Sequence, residues 1–369
     1  MKTKKRFPFN PGLLLFAFLV IHGSLASAQH VSDSRSKKET FGVTPESTLE
    51  IENKYGTILI VPWDKDSVQI TADIYLEAKS YSKLKSLKND VRISFSSSRN
   101  YIIARTIIGD EGSRVVSELR ALSNTLGTGS VVEINYTVFM PQYMNLVLSN
   151  KYGDIYIDDI NGDVDISLSN GVLKANSLTG NNSVELIFSK GAIRNLGNTS
   201  LTLSYADLEL SHVSQLDLVG KSSELRIDTV GVMKIDSRRD GISLGEVEYL
   251  YGVSSFSDIK ISTFIREADC NLKYGSFRID NVRQEFSRIN LDSDFTDILL
   301  YFKDNSAYLV DILYNEKAIV NLPGGNSGLE TRKTGEEFYS VEGYVGNNKT
   351  DKRLSIKADH KCYITISNR

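Results

Sequence analysis

Between residues 150 and 300, apolar and polar positions alternate in short stretches, and a small residue interrupts the alternation about every 18 residues. Ahead of the interruptions sit pairs such as Ile166 and Leu168, or Leu201 and Leu203. Behind them sit Ile155 and Ile157, Leu208 and Leu210, Leu225 and Ile227, and Ile298 and Leu300. Alternation at period two marks strands with one buried face. The sequence around the interruption also repeats. Asn150-Lys151-Tyr152-Gly153-Asp154-Ile155 nearly duplicates Asn53-Lys54-Tyr55-Gly56-Thr57-Ile58. Looser copies follow at Gly171, Gly191, Ala206, Ser223, Gly241, Ser257, Gly275 and Thr296, 15 to 21 residues apart. The small residue is expected to turn a corner, since glycine tolerates backbone angles that other residues resist.

A unit this short, with about five inward aliphatic side chains, cannot by itself offset the entropy of ordering its backbone. The units must stack and share a core. The pattern therefore predicts a mainly β fold, a single-stranded parallel β-solenoid of about 18 residues per coil, with a small α+β N-terminal capping region. Parallel crossovers are overwhelmingly right-handed, which sets the expected hand. A β-sandwich does not repeat one local motif at near-constant spacing. A propeller needs about 40 residues per blade, and an outer-membrane barrel needs strands of about ten residues with an apolar exterior. A left-handed hexapeptide helix would place an apolar residue at every sixth position, whereas the motif here comes once per coil.

Five segments follow. Residues 1–28 read as a signal peptide: four cations and no acid in the first ten residues, the apolar run 12–21, and Ala26 and Ala28 at the small-residue positions of a cleavage site before Gln29. Residues 29–40 are polar and expected to be a flexible N-terminus. Residues 41–140 hold a first coil and the α+β region. In it, Tyr81, Leu84, Leu87 and Val91 predict one helix, and Val115, Leu119, Leu122 and Leu126 a second, closed by Gly127. Residues 141–322 form the solenoid. Residues 323–369 comprise a loop, to about 352, and a last coil carrying Leu354, Ile356, Ile364 and Ile366. No further apolar run is long enough for a transmembrane segment in the mature chain, so the protein is expected to be exported to the periplasm or cell surface.

Composition narrows the chemistry. Lys and Arg number 43 against 46 Asp and Glu, a formal charge of −3 that becomes −7 without the leader's four cations. Such a balance lacks the field that holds phosphate backbones, and no nucleic-acid partner is expected. With 4 His and 2 Cys, neither a metal site nor a cofactor is expected. His30, His212 and His360 lie far apart in sequence and fit no catalytic triad. Cys270 falls at an inward position and Cys362 in the last coil, at least three coils apart, so two free thiols are expected.

Two columns stand out. One step after the anchors come Asp154, Asp207, Glu224, Asp258 and Asp297, which either hold a hard cation or hydrogen-bond their own turns. One step before come Tyr55 and then Tyr152, Tyr205, Phe256, Tyr274 and Phe295. These five from Tyr152 onward are the candidate binding-face aromatics, the structural alternative being a cross-coil ladder. Asp158 and Asp159 are adjacent carboxylates, but neighbours along a strand point to opposite faces and do not form a glycosidase pair.

Leu49-Glu50-Ile51-Glu52-Asn53-Lys54-Tyr55-Gly56, then Val61-Pro62-Trp63-Asp64, the serial Ser/Tyr-Gly-Asp-Ile motifs, and Phe302-Lys303-Asp304-Asn305-Ser306-Ala307 together resemble the bacterial "putative adhesin" domain family, over roughly residues 41–366. The resemblance implies a secreted β-solenoid of undetermined function and supplies no catalytic residues. It departs at Asn315-Glu316-Lys317-Ala318 and His360-Lys361-Cys362, where the family's glycine is absent. The expected function is an exported, non-catalytic binding protein presenting one long face to a surface polysaccharide or envelope protein. The alternatives are a carbohydrate-active enzyme on a β-helix and a structural envelope spacer.

Overall fold

The computed structural model describes residues 30–109, 129–324 and 327–368. The cleavage site at Ala26, Ala28 and Gln29 and the second expected helix lie outside those residues. The fold is mainly β, a single 22-stranded sheet, mostly parallel, with one helix among the described residues. It fits the stacked coils that the repeat predicts.

The first strands are β1 (Val31–Gly42), β2 (Thr48–Lys54), β3 (Ile58–Pro62) and β4 (Ser67–Ala78). Helix α1 (Tyr81–Asp90) follows, then β5 (Val91–Ser97), β6 (Tyr101–Ile108) and β7 (Val131–Met140). Ser80 caps α1, its hydroxyl accepting from Lys83 N at 3.3 Å, and the helix buries Leu84. Of the segment 29–40 expected to be a flexible tail, the residues from Val31 onward form a strand. β1 pairs along its whole length, antiparallel, with β4. Its polar composition suits an outermost strand, half-exposed and rich in charge.

The repeat proper runs through β8 (Asn145–Lys151), β9 (Ile155–Ile157), β10 (Val164–Ser169), β11 (Val172–Ile187), β12 (Lys190–Ser204), β13 (Asp207–Lys221), β14 (Glu224–Arg238), β15 (Gly241–Val282) and β16 (Arg288–Phe302). Lys190 pairs with Asp207, Asp207 with Glu224, and Glu224 with Gly241, a register of 17 residues per rung. Buried positions alternate within a segment and step by three where it bends: Leu201, Leu203, Ala206, Leu208, Leu210, Val213, Leu216, Leu218. Ladder pairing lapses at these bends, at Ser211 and Ser214 and one rung on at Asp228 and Gly231.

The main corner is built differently from the expectation. Its left-handed residue is the one before the anchor, and it is not glycine. Tyr55, Tyr152, Asn170, Phe188, Tyr205, Ser222, Arg239, Phe256, Tyr274 and Phe295 all have φ between 49° and 63°. The anchor glycines serve close approach, Gly275 also taking a positive φ of 110°. A Cβ on Gly171 would lie 2.0 Å from the Gly153 carbonyl oxygen, and one on Gly153 2.0 Å from that of Gly56. Two anchors read from the sequence are misplaced. Gly191 pairs with Leu173 and Leu208, and Gly241 with Glu224, so the corner residues of those rungs are Ser189 and Asp240. Gly191 therefore does not stand in file with Gly153 and Gly171.

Serine fills the anchor position for a reason. Ser223 Oγ donates to Lys221 O at 3.0 Å and accepts from Ala206 N at 3.1 Å, one rung away. Ser257 repeats this with Ser255 O and Asp240 N, both at 3.1 Å. The hydroxyl thus satisfies backbone groups that the left-handed corner removes from the ladder. The duplicated asparagine does similar work. Asn150 Nδ2, on a buried side chain, donates to Gly56 O at 2.9 Å and Asp154 O at 3.1 Å.

At the far end come β17 (Tyr308–Asn315), β18 (Ile319–Asn321), β19 (Ser327–Thr334), β20 (Phe338–Val345), β21 (Arg353–Ala358) and β22 (Tyr363–Asn368). Much of the segment expected as loop is the antiparallel hairpin β19–β20. The coil that is last in sequence is not last in space. β21 pairs with both β16 and β17, and β22 with both β16 and β18, so this coil is inserted one rung inside the end. The beginning mirrors this. β2 lies between β6 and β8, and β3 between β7 and β9. Antiparallel strands then cover the outer rungs: β4 on β7, β5 on β6, and β20 on β17.

Candidate functional site

Because the left-handed residue turns its side chain out of the corner, that position forms a file along one edge of the stack. Tyr152, Tyr205, Phe256, Tyr274 and Phe295 all stand in it, with exposures of 41 to 51%. Their rings stack in groups. Phe256 lies 4.5 Å from Tyr274, Tyr274 5.2 Å from Phe295, and Phe295 4.9 Å from the His360 ring. Phe188 pairs with Tyr205 at 5.1 Å, and Tyr55 with Tyr152 at 5.4 Å. Phe188 and His360 escaped the sequence reading. The false anchor at Gly191 put Phe188 at an inward position, although it is 59% exposed. His360 reaches the file from the inserted coil, held by Asp294 Oδ1 at 2.7 Å.

Stacking uses one ring face or both. The file is interrupted at Asn170 and again at Ser222 and Arg239, so the rings stand in separate groups. Lys221 approaches one of them, its Nζ 5.8 Å from the Tyr205 ring centre.

The acidic positions after the anchor form no continuous column, because Val172 and Lys190 occupy the same position on intervening rungs. Asp154 Oδ1 accepts from Val172 N at 2.9 Å, Asp207 faces Lys190 at 3.2 Å, and Asp258 Oδ1 accepts from Ser276 at 2.6 Å. Among the described residues no group of three or more His, Cys, Asp or Glu could hold a metal. His30 contacts Glu77 and His212 contacts Thr229, both far from His360 in the fold. Asp159 Oδ1 accepts from Asn176 at 2.6 Å, while Asp158 lines a groove beside it.

One carboxylate is buried at the corner. Asp240, 5% exposed, accepts from Ser223 N at 2.8 Å, Ser237 Oγ at 2.8 Å and Arg238 N at 3.0 Å. Burial raises its pKa, and the three hydrogen bonds oppose that rise. Gly220 leaves the space, since a Cβ there would meet Asp240 Oδ2 at 2.2 Å. Both cysteines are free and buried, and burial pushes the Cys270 thiol up to about 12. They sit two rungs apart, not three or more, because the Cys362 coil is inserted next to β16.

No protein-family model matches the chain, and no curated protein matches it. Among solved structures, a "putative cell adhesion protein" from Clostridium sporogenes ATCC 15579 is 10% identical, over 91% of this chain and 100% of that one, with a TM-score of 0.16. A "putative adhesin" from Bacteroides fragilis NCTC 9343 is 12% identical, over 91% of this chain and 97% of that one, with a TM-score of 0.27. Scores this low leave the reading of this chain to its own residues. No described helix is long and apolar enough to cross a membrane.

Proposed function

We propose that this chain is an exported, non-catalytic parallel β-solenoid that binds an extended partner, a surface polysaccharide or an envelope protein, along one lateral face. The exposed aromatic file supports the reading. A left-handed backbone costs a bulky L-residue about 1–2 kcal/mol, and ring stacking returns about 0.5–1.5 kcal/mol. Stacking therefore offsets the strain at most, and leaves large apolar rings in water. Asn170 and Ser222 turn the same corner without a ring. Aromatic side chains are not needed for the turn, and their exposure suits contact with sugar rings or an apolar partner surface.

The test is a glycan array and envelope-extract binding with the mature chain beside a Tyr205→Asn, Tyr274→Asn double variant. Asparagine is chosen because Asn170 holds this backbone at φ 59°. Saturable binding that drops at least about tenfold in the variant is expected, equivalent to about 1.4 kcal/mol. Binding indifferent to the variant, or shortening of a bound glycan by the protein, would refute the proposal.

A further inference from the structure

A groove of about 730 Å³ lies along the strand segments that follow the corner, a few residues beyond the aromatic file. It crosses six rungs, past Leu59, Tyr156, Lys174, Ala192, Glu209 and Arg226, each paired in register with the next. At about 4.8 Å per rung it is about 24 Å long. Ala192 carries the shortest side chain of that column and leaves room between Lys174 and Glu209.

Charge in the groove is unevenly committed. Arg226 is engaged by Glu209 at 3.5 Å. The side chains of Lys174 and Arg194, on adjacent rungs and both exposed, have neither a hydrogen bond nor an ion pair among the described residues. The side chains of Asp158 and Asp228, also lining the groove, are equally uncommitted. Tyr156 is half-buried, its hydroxyl 3.2 Å from Asp154 Oδ2.

This set discriminates among ligands. An extended peptide would need main-chain partners, but the strands here already pair with the rungs on either side. A nucleic acid needs a continuous cationic track and rings on which successive bases stack, whereas here three acids stand among three cations around one tyrosine ring. A glycan bearing carboxylates matches each part. The two free cations take a carboxylate, the two free acids accept from sugar hydroxyls, and the tyrosine ring offers a stacking face. We infer that the groove binds an unbranched acidic polysaccharide, its uronate carboxylates on Lys174 and Arg194 and its hydroxyls on Asp158 and Asp228. The inference rests on the reading of the lateral surface as polymer-binding, and adds the charge class of the polymer.

The mature chain is titrated with oligomers of galacturonate, mannuronate and hyaluronan, and with their neutral methyl esters, at low and high salt. The acid forms of at least one series should bind about tenfold or more tighter than their esters, and added salt should weaken them. Lys174→Gln and Arg194→Gln should each weaken the acid form by about tenfold and leave the thermal midpoint unchanged, both side chains being exposed. Equal binding of acid and ester, or full affinity in both glutamine variants, would overturn the inference. Binding of neutral glycans alone, abolished by Tyr205→Asn with Tyr274→Asn, would overturn it while leaving the wider proposal standing. Failure of every oligomer and every array glycan would sink both.

Discussion

Two glycines that look alike in sequence should respond very differently to one added methyl group. In Gly171→Ala the new Cβ meets the Gly153 carbonyl oxygen at 2.0 Å, where carbon and carbonyl oxygen need about 3.3 Å. The obstacle is backbone, so the two rungs must part by about 1 Å. That stretches Tyr152 N to Ser169 O and Val172 N to Asp154 Oδ1, both 2.9 Å, beyond useful length. Two bonds at about 1 kcal/mol each, plus the desolvation of the orphaned groups, give a loss of about 3–5 kcal/mol. In Gly191→Ala the nearest atom is the Leu208 Cδ1 methyl at 2.7 Å, and the first backbone atom is 3.4 Å away. A leucine terminus turns aside at about 1 kcal/mol or less. Alanine regains about 0.4–1 kcal/mol by restricting the unfolded chain, so the net change is near zero. Urea midpoints for both variants provide the comparison, with amide exchange at Tyr152 and Val172 as a local readout, because long stacked arrays need not unfold in one step. Equal destabilisation of the two variants, or a neutral Gly171→Ala, would refute the register.

Three further outcomes follow from buried groups. Asp240 has its carboxyl pKa raised by burial, so the folded chain holds that proton more tightly than the unfolded chain. The resulting stabilisation is complete below about pH 4 and is lost as pH rises through the folded value. Asp240→Asn should therefore lose less stability than the parent between pH 4 and 7 in urea titrations, and parallel profiles would contradict the assignment. Cys270, with its thiol pushed up to about 12, and Cys362, fully buried, should resist a thiol reagent at pH 8 until the chain is unfolded. Two rungs put them about 10 Å apart along the stack, too far for a bridge, so recovery of a Cys270–Cys362 peptide under non-reducing conditions would contradict the stacking order.

What could be read from the sequence is what the chain encodes locally. Ile155 and Ile157, or Leu225 and Ile227, announce a one-sided strand through spacing alone. The Asn-Lys-Tyr-Gly motif announces a corner, because it carries both the left-handed residue and the glycine behind it. What stayed hidden depends on the neighbouring rung. Gly191 and Gly241 resemble anchors, but the anchors are Ser189 and Asp240, whose hydroxyl and carboxylate take amides from the rung before. A second file of close approaches, Gly180 on Gly162 and Gly197 on Gly180, has no local motif to mark it. The aromatic file was legible except at Phe188 and His360. The groove was not, since its shape depends on which side chains share a column across rungs. The polar strand β1 read as a tail because an edge strand and a flexible segment select the same residues.

The inserted coils at the two ends have a common physical basis. An open end of a parallel stack offers unpaired backbone groups to another copy. Covering it with antiparallel strands requires the chain to pass the last rung, reverse, and come back. At the start the chain lays β2 and β3, moves outward to β6 and β7, then returns to β8. At the finish it leaves β16 for β17 and β18, forms the β19–β20 hairpin, and returns to lay β21 and β22. Each terminal segment of the stack is thereby held between two rungs, with partners on both sides. Among the described residues four strands keep a single ladder partner, β1, β5, β18 and β19. The two long ones that carry most charge, β1 with Arg35, Lys37 and Lys38 and β19 with Glu330, Arg332 and Lys333, oppose further pairing. With most of each end covered in this way, the surface that repeats from rung to rung is lateral. The proposed extended ligand would follow the rungs along that lateral surface, where the aromatic file and the groove lie.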